Sequence, residues 1–264
     1  MQPAIADRIV AAAEFGPASA AVEIGPGLGI LSDRIAASAV AEFTMVELDG
    51  ALAHALDRRF SGDSRIRLVN ADILTVDLPM LTDRRPITIV GNLPFNAAGA
   101  ILRRLCEWQP NIGRMVLMFQ REVGERIRAY PGERSRGALT VFTDLYWECV
   151  EHFRVRAGSF HPRPAVDAEV LVMMPRIPPL FAPGEESVVL ETIRAAFSAP
   201  RKAVRNALGD RLRIGSAAAA AALEQCGIDP MARAATIETG ALILLARTLA
   251  ASVPEAYAAE RRDA

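Results

Sequence analysis

The chain has 264 residues, 51% apolar and 23% charged, enough for one large domain or a large plus a small one around a packed core. That composition excludes a disordered chain, and no apolar run approaches the ~18 residues that a membrane-spanning helix needs. The net charge of −1 hides an asymmetry: residues 1–100 carry 8 basic and 12 acidic groups, residues 101–264 carry 22 and 19.

In chain order, strand signals fall at Ala21–Ile24, Thr44–Leu48, Ile66–Asn70, Ile87–Val90 and Met115–Phe119. All are rich in branched or bulky apolar residues, and most end in Gly, Asp or Asn. Helical patterns lie between them at Leu31–Ser38, Ala51–Phe60 and Ala98–Glu107. This alternation predicts an α/β fold, a mostly parallel sheet with helices on both faces. Such sheets bind ligands beyond the carboxyl ends of their strands. Two further strands, near Tyr146–Phe153 and Glu169–Met173, predict an edge hairpin bridged by a turn-rich loop. Four prolines between Pro175 and Gly184 read as a linker. Beyond it come helices from Ser187 to Phe197, Pro200 to Leu212, Ser216 to Cys226 with Gly227 as stop, and Thr236 to Ala250 with Thr236 as N-cap. The expected domains are therefore residues 1–176, a small all-helical domain over 185–251, and a frayed tail over 252–264.

The three cysteines (Cys106, Cys149, Cys226) and three histidines (His54, His152, His161) are scattered. A disulfide framework and a metal site are not expected, and a reducing cytoplasm fits. The N-terminus has no basic stretch followed by a long apolar one, so a secretory signal is not expected either.

Glu23-Ile-Gly25-Pro-Gly27-Leu-Gly29 closes the first strand and opens a helix. Glycines spaced by two allow a tight turn and close approach of backbone to ligand. A dinucleotide fingerprint would be G-x-G-x-x-G; here position 30 is Ile and the third glycine comes one residue early. E-x-G-x-G-x-G is instead the pattern of S-adenosylmethionine-dependent methyltransferases. Glu47 ends the second strand, where a carboxylate accepts both hydroxyls of an adenosine ribose; Asp49 competes for that role. Asp72 ends the third strand and suits an adenine amino group. Each acid alone also reads as an N-cap or a solvated loop charge, but three successive strand ends bear one.

Gly91-Asn92-Leu93-Pro94-Phe95 follows the fourth strand and matches the [N/D/S]-[P/L/I]-P-[Y/F/W] pattern of methyltransferases acting on exocyclic amines. The adenine amine is a poor nucleophile because its lone pair is delocalised into the ring. The Asn92 side-chain oxygen and a neighbouring carbonyl, Leu93 by preference, can accept its two N–H bonds and stabilise the positive charge that develops. Pro94 stiffens the turn, and Phe95 offers a face for an extruded base. Between the last two strands, Pro162 and Pro164 hold a loop extended. Phe160 covers the other face of the base or is a buried anchor, and His161 is a loop residue. Arg121 and Arg126 contact phosphate or pair within their helix with residues such as Glu122. Arg194 to Ile214 holds six cations against the single acid Asp210, which points either to an anionic partner or to a solvated helix face.

Taken together, VEIGPGLGIL, VELD, NADIL, GNLPFN, FQREVGERI, SFHPRPAVD, FSAPRKAVRNAL and GIDPMARA resemble the KsgA-type rRNA adenine dimethyltransferase family, which includes the erythromycin-resistance methyltransferases. The resemblance runs from about Ala4 to Ala250. It implies a Rossmann-like methyltransferase domain and an rRNA-binding helical domain. It also implies dimethylation of two adjacent adenosines near the 3′ end of 16S rRNA, in a pre-30S particle, by a cytoplasmic, metal-free monomer. Cofactor would be held by Glu23, Gly25, Gly27, Glu47, Leu48, Asp72, Ile73 and Asn92. The target base would be held by Asn92, Leu93, Pro94, Phe95 and Phe160, and rRNA by Arg121, Arg201, Lys202 and Arg205. Three departures stand out. The family normally opens with a G-Q-[NH]-F-L segment over the cofactor, and this chain starts just past its place. Ala168 and Glu169 stand where Ser and an apolar residue are usual. Ala199-Pro200 replaces a more basic pair. A non-catalytic assembly factor, a large-subunit rRNA methyltransferase and a small-molecule methyltransferase are the rival readings.

Overall fold

The computed structural model describes residues 1–94 and 97–257. They form two compact units, and the chain passes between them three times: one unit holds 1–124 and 148–175, the other 125–147 and the residues from 176 onward.

The first unit is built on a seven-stranded sheet. Its strands are β1 (Ala20–Ile24), β2 (Glu42–Glu47), β3 (Ile66–Asn70), β4 (Ile87–Asn92), β5 (Ile112–Gln120), β6 (Trp147–Val155) and β7 (Ala168–Pro175), in the order β3-β2-β1-β4-β5-β7-β6. The pairs from β3 to β5 are parallel, and β7 runs antiparallel to β5. The helices are α1 (Pro3–Ala12), α2 (Ile30–Ala36), α3 (Gly50–Phe60), α4 (Ala98–Glu107) and α5 (Arg121–Ile127), the last shared with the second unit. On one face, Ala21, Phe43, Met45, Val90, Val116 and Val170 pack with Ile9 of α1, Ile35 of α2 and Leu56 of α3. The order reverses between β1 and β4, which opens a crevice at the carboxyl ends of those strands.

The second unit contains α6 (Ala138–Tyr146), α7 (Glu186–Ala196), α8 (Val204–Arg211), α9 (Gly215–Gln225) and α10 (Thr239–Ser252). The strands and most helices fall within a few residues of their predicted places. Four expectations differ. Residues 125–147 group with the C-terminal helices, because Leu145 O accepts the Leu180 amide (3.0 Å) and Asp144 holds Arg176 (2.9 Å). The helix foreseen from Pro200 begins only at Val204, since Ala203 is still extended. Thr236 does not cap the last helix; it sits in a short 3-10 turn, and Glu238 precedes the helix without a side-chain cap bond. Of the tail expected to fray over 252–264, Ser252 still belongs to α10 and the Tyr257 ring is buried with its hydroxyl 2.8 Å from Thr192, while 258–264 lie outside the described residues.

Candidate functional site

At the reversal point a cavity of about 530 Å³ opens among Ile24, Gly25, Gly27, Glu47, Leu48, Asp72, Ile73, Asn92, Pro94 and their neighbours. Each group arrives from a strand end. The turn after β1 carries Gly25 and Gly27 at φ +66° and +58°. Side chains disfavour that region by roughly 1–2 kcal/mol. A Cβ at either glycine would meet nothing within 4 Å, so the turn leaves open space above it.

Glu47 is almost fully buried, and its two oxygens are oriented by backbone amides. Oε2 accepts the Gly27 N–H (2.9 Å) and Oε1 the Asp49 N–H (3.0 Å). The carboxylate thus braces the glycine turn against the β2–α3 turn while still facing the cavity. Asp49, its rival, is spent elsewhere: its side chain caps α3 by accepting from Ala51 (2.8 Å) and Leu52 (3.0 Å). Leu48 is 71% exposed at the rim, and Ile73 is buried in the wall. Asp72 lies two residues past the end of β3 rather than at it, in a turn where it accepts the Leu74 amide (2.9 Å).

Glu23 does not line the cavity. Side chains alternate along β1; Ile24 faces the cavity, and Glu23 points to the other face, where Ser32 of α2 donates to it (2.6 Å). Burial pushes its carboxyl up to about 8, with Asp33 and Glu47 adding to the shift and the Ser32 bond opposing it. Glu23 is therefore a neutral strut beneath the glycine turn at neutral pH.

Asn92 ends β4 with its side chain exposed, and that side chain has no hydrogen-bond partner among the described residues. Leu93 is buried and anchored by its amide to Met118 O (3.0 Å). The Pro94 carbonyl is occupied, accepting from Ala97 (3.0 Å) and Ala98 (3.1 Å) at the start of α4. The Leu93 carbonyl takes no hydrogen bond among the described residues. Phe95 lies outside the described residues.

Phe160 is not brought to the cavity; it is half-buried against the core that includes α1. Its loop is closed at the base by Asp167, which accepts the Ala157 amide (2.8 Å) and Arg154 Nε (2.8 Å) and is held below the ordinary carboxyl range by both. Arg121 opens α5, its amide on Asp167 O (2.9 Å). In the second unit Arg201 and Lys202 are exposed and Arg205 is half-buried. Lys202 pairs with Asp210 (3.2 Å). Arg194 (3.5 Å) and Arg211 (3.1 Å) both reach Glu191, an acid outside the basic stretch, so its charge is smaller than the sequence count. Among the described residues no group of His, Cys, Asp or Glu gathers to hold a metal, and no helix is long and apolar enough to cross a membrane.

The chain is 34% identical over 252 residues to the ribosomal RNA small subunit methyltransferase A of Geobacter sulfurreducens, covering 94% of this chain and 91% of that one. The protein of the same name from Moorella thermoacetica is 37% identical over 254 residues, with coverage of 93% and 88%. Among solved structures, the 23S rRNA methyltransferase ErmE superposes with a TM-score of 0.68 at 28% identity, over 93% of this chain and 97% of that one. A dimethyladenosine transferase from Plasmodium falciparum shares the fold, with a TM-score of 0.75 at 20% identity over 92% and 94%. A model of the ribosomal RNA adenine dimethylase family matches residues 1–250. On these matches, and on the cavity at its strand reversal, the chain belongs to the ribosomal RNA adenine dimethylase family.

Proposed function

We infer that the protein is an S-adenosylmethionine-dependent enzyme that dimethylates the 6-amino groups of two adjacent adenosines near the 3′ end of small-subunit rRNA. The observation that carries this reading is the convergence of the glycine turn, Glu47, Asp72 and the Asn92–Pro94 turn on one cavity. The residues present fit the cofactor. The glycine turn leaves room for a backbone-hugging ligand, Glu47 offers oriented acceptor oxygens to ribose hydroxyls, and Leu48 and Ile73 give apolar contact beside Asp72 for an adenine ring.

When bound, S-adenosylmethionine supplies a methyl group already activated by positive sulfur, so transfer needs positioning more than a general base. Asn92 and the Leu93 carbonyl accept the two N–H bonds of the target amine. Those bonds favour a more tetrahedral nitrogen and strengthen as positive charge develops on it. Pro94 fixes the turn, and Phe95 is the stacking face for the extruded base. The helical unit holds rRNA phosphates through Arg201, Lys202 and Arg205, with Arg121 adding a contact from the first unit. The substrate is an immature 30S particle, and the protein acts as a cytoplasmic monomer; three free cysteines suit that compartment. The small-subunit assignment follows relatives at 34% and 37% identity, above the 28% of the 23S enzyme.

The deciding experiment incubates the protein with labelled cofactor and unmethylated 30S particles. Dimethyladenosine at two neighbouring positions is the expected product. No product, together with no heat of cofactor binding by calorimetry, would establish the assembly-factor reading instead. A modified nucleotide mapped to large-subunit rRNA would correct the substrate.

A further inference from the structure

Tyr130 is 71% exposed, and the turn that carries it is stiff. Glu133 N–H closes onto Tyr130 O (3.1 Å) across Pro131 and Gly132, and Gly132 sits at φ +89°. Proline followed by a left-handed glycine is the type II arrangement, which holds the first residue's orientation at little entropic cost. The Glu133 side chain returns to the Tyr130 amide (3.1 Å) and locks the turn a second time.

The turn is also fastened to its neighbours. Gly132 N–H donates to Ala235 O (2.9 Å). Arg136, which is buried, donates to the carbonyls of Ala129 (3.2 Å) and Ile237 (3.0 Å) and to the Thr239 hydroxyl (3.3 Å). A buried guanidinium whose hydrogen bonds all go to neutral oxygens, with Asp144 and Glu238 acting on it through their charge alone, is an expensive clamp, and what it clamps is residues 129–137 onto 235–239. The preceding turn is tied in its own right to the start of α8, through Val204 N–H to Ala232 O (2.8 Å) and Arg205 N–H to Pro230 O (3.3 Å). Three chain segments of the second unit thus lie side by side. They present Tyr130, a 59% exposed Met231, and the exposed cations Arg134, Arg201 and Arg233, which make no ion pair among the described residues. Two of the nearby acids are occupied: Glu133 by the Tyr130 amide and Asp229 by the Met231 amide (2.8 Å); Glu238 stays exposed.

We propose that Tyr130 is a stacking platform for an unpaired base of the rRNA substrate, with Arg134, Arg201 and Arg233 on the flanking phosphates. The proposal rests on the rRNA reading above and adds a contact outside the catalytic cavity. A ring accepts any base through its π-face, while arginines follow the backbone. Pre-setting the turn removes part of the ordering cost of binding.

The test uses the full chain with unmethylated 30S particles and with protein-free small-subunit rRNA. Tyr130→Ala is expected to weaken binding of both by about tenfold, and to raise KM for the particle while leaving kcat and cofactor affinity unchanged. Tyr130→Phe retains binding. Tyr130→Trp adds an indole whose emission is quenched by rRNA beyond the change seen in the parent. An Ala variant with parental melting temperature and parental rRNA affinity overturns the proposal. So does a loss seen with the particle but not with protein-free rRNA, which would assign the platform to a ribosomal protein. A parent protein that binds rRNA yet forms no dimethyladenosine would sink the enzymatic reading and leave this one to be judged on the variants.

Discussion

Glu23 shows how one side chain can belong to a motif without lining the cavity that the motif borders. Its carboxyl is raised to about 8 in the folded chain from an ordinary value of 4.5. The native state therefore holds a proton that the unfolded chain releases above pH 4.5, so this residue's contribution to stability is lost as pH rises from about 4.5 to 8. Replacement by glutamine removes the titration. The melting temperature of Glu23→Gln is expected to gain on the parent between pH 5 and pH 8, by an amount worth a few kcal/mol at the upper end. A difference that does not change with pH would refute the buried neutral acid. In the proposed mechanism Asn92→Ala removes one acceptor of the target amine. It is expected to lower kcat by about a hundredfold or more while leaving rRNA affinity within twofold; retained turnover would remove Asn92 from the chemistry. That the glycine turn, Glu47 and the Asn92 turn would meet at one crevice was legible because each follows a parallel strand, and such a sheet gathers the carboxyl ends of its strands on one side. The place of Glu23 was less so: the motif names it, and only the two-residue period of the strand shows that Glu23 and Ile24 must face opposite ways.

The strands were legible as elements because parallel strands buried on both faces read as continuous apolar runs. Two helices were not. The α6 sequence, ALTVFTDLY, is rich in β-branched and aromatic residues, whose intrinsic preference is extended. It is helical because Val141, Thr143 and Leu145 are buried and Tyr146 Oη bonds Glu186 of α7 (2.5 Å), tertiary packing that no local window contains. In α1 the signal was present, in Pro3 at the first turn and Ile5 and Ile9 one turn apart, but the segment is short. The α8–α9 crossing rests on one small residue. A Cβ on Gly209 would lie 2.7 Å from Gly215 C and 2.8 Å from Ser216 N, both backbone atoms that cannot swing aside. Gly209→Ala is expected to destabilise the helical unit by about 2 kcal/mol and to weaken rRNA binding, with cofactor affinity unchanged by calorimetry. An unaltered melting curve would mean that the crossing has slack.

The excess of cations between Arg194 and Ile214 survives in the folded molecule in reduced form, since Glu191, just outside that stretch, takes up Arg194 and Arg211. What remains should still be felt as counterion release. Replacing Arg201 and Lys202 by alanine is expected to lower the slope of log affinity against log salt by about 1 to 2; an unchanged slope would place those side chains away from phosphate. The path of the backbone carries a different lesson. Because residues 125–147 are folded with the C-terminal helices while 148–175 return to the sheet, no single cut separates the two units. Cleavage in the proline stretch after residue 175 would strip α6 of α7 and leave its apolar stripe facing water. A truncated first half made for genetic or biochemical dissection would then be sticky rather than merely inactive. Loss of activity on such a deletion would say nothing about which half performs the chemistry, and only point substitutions can assign labour between them.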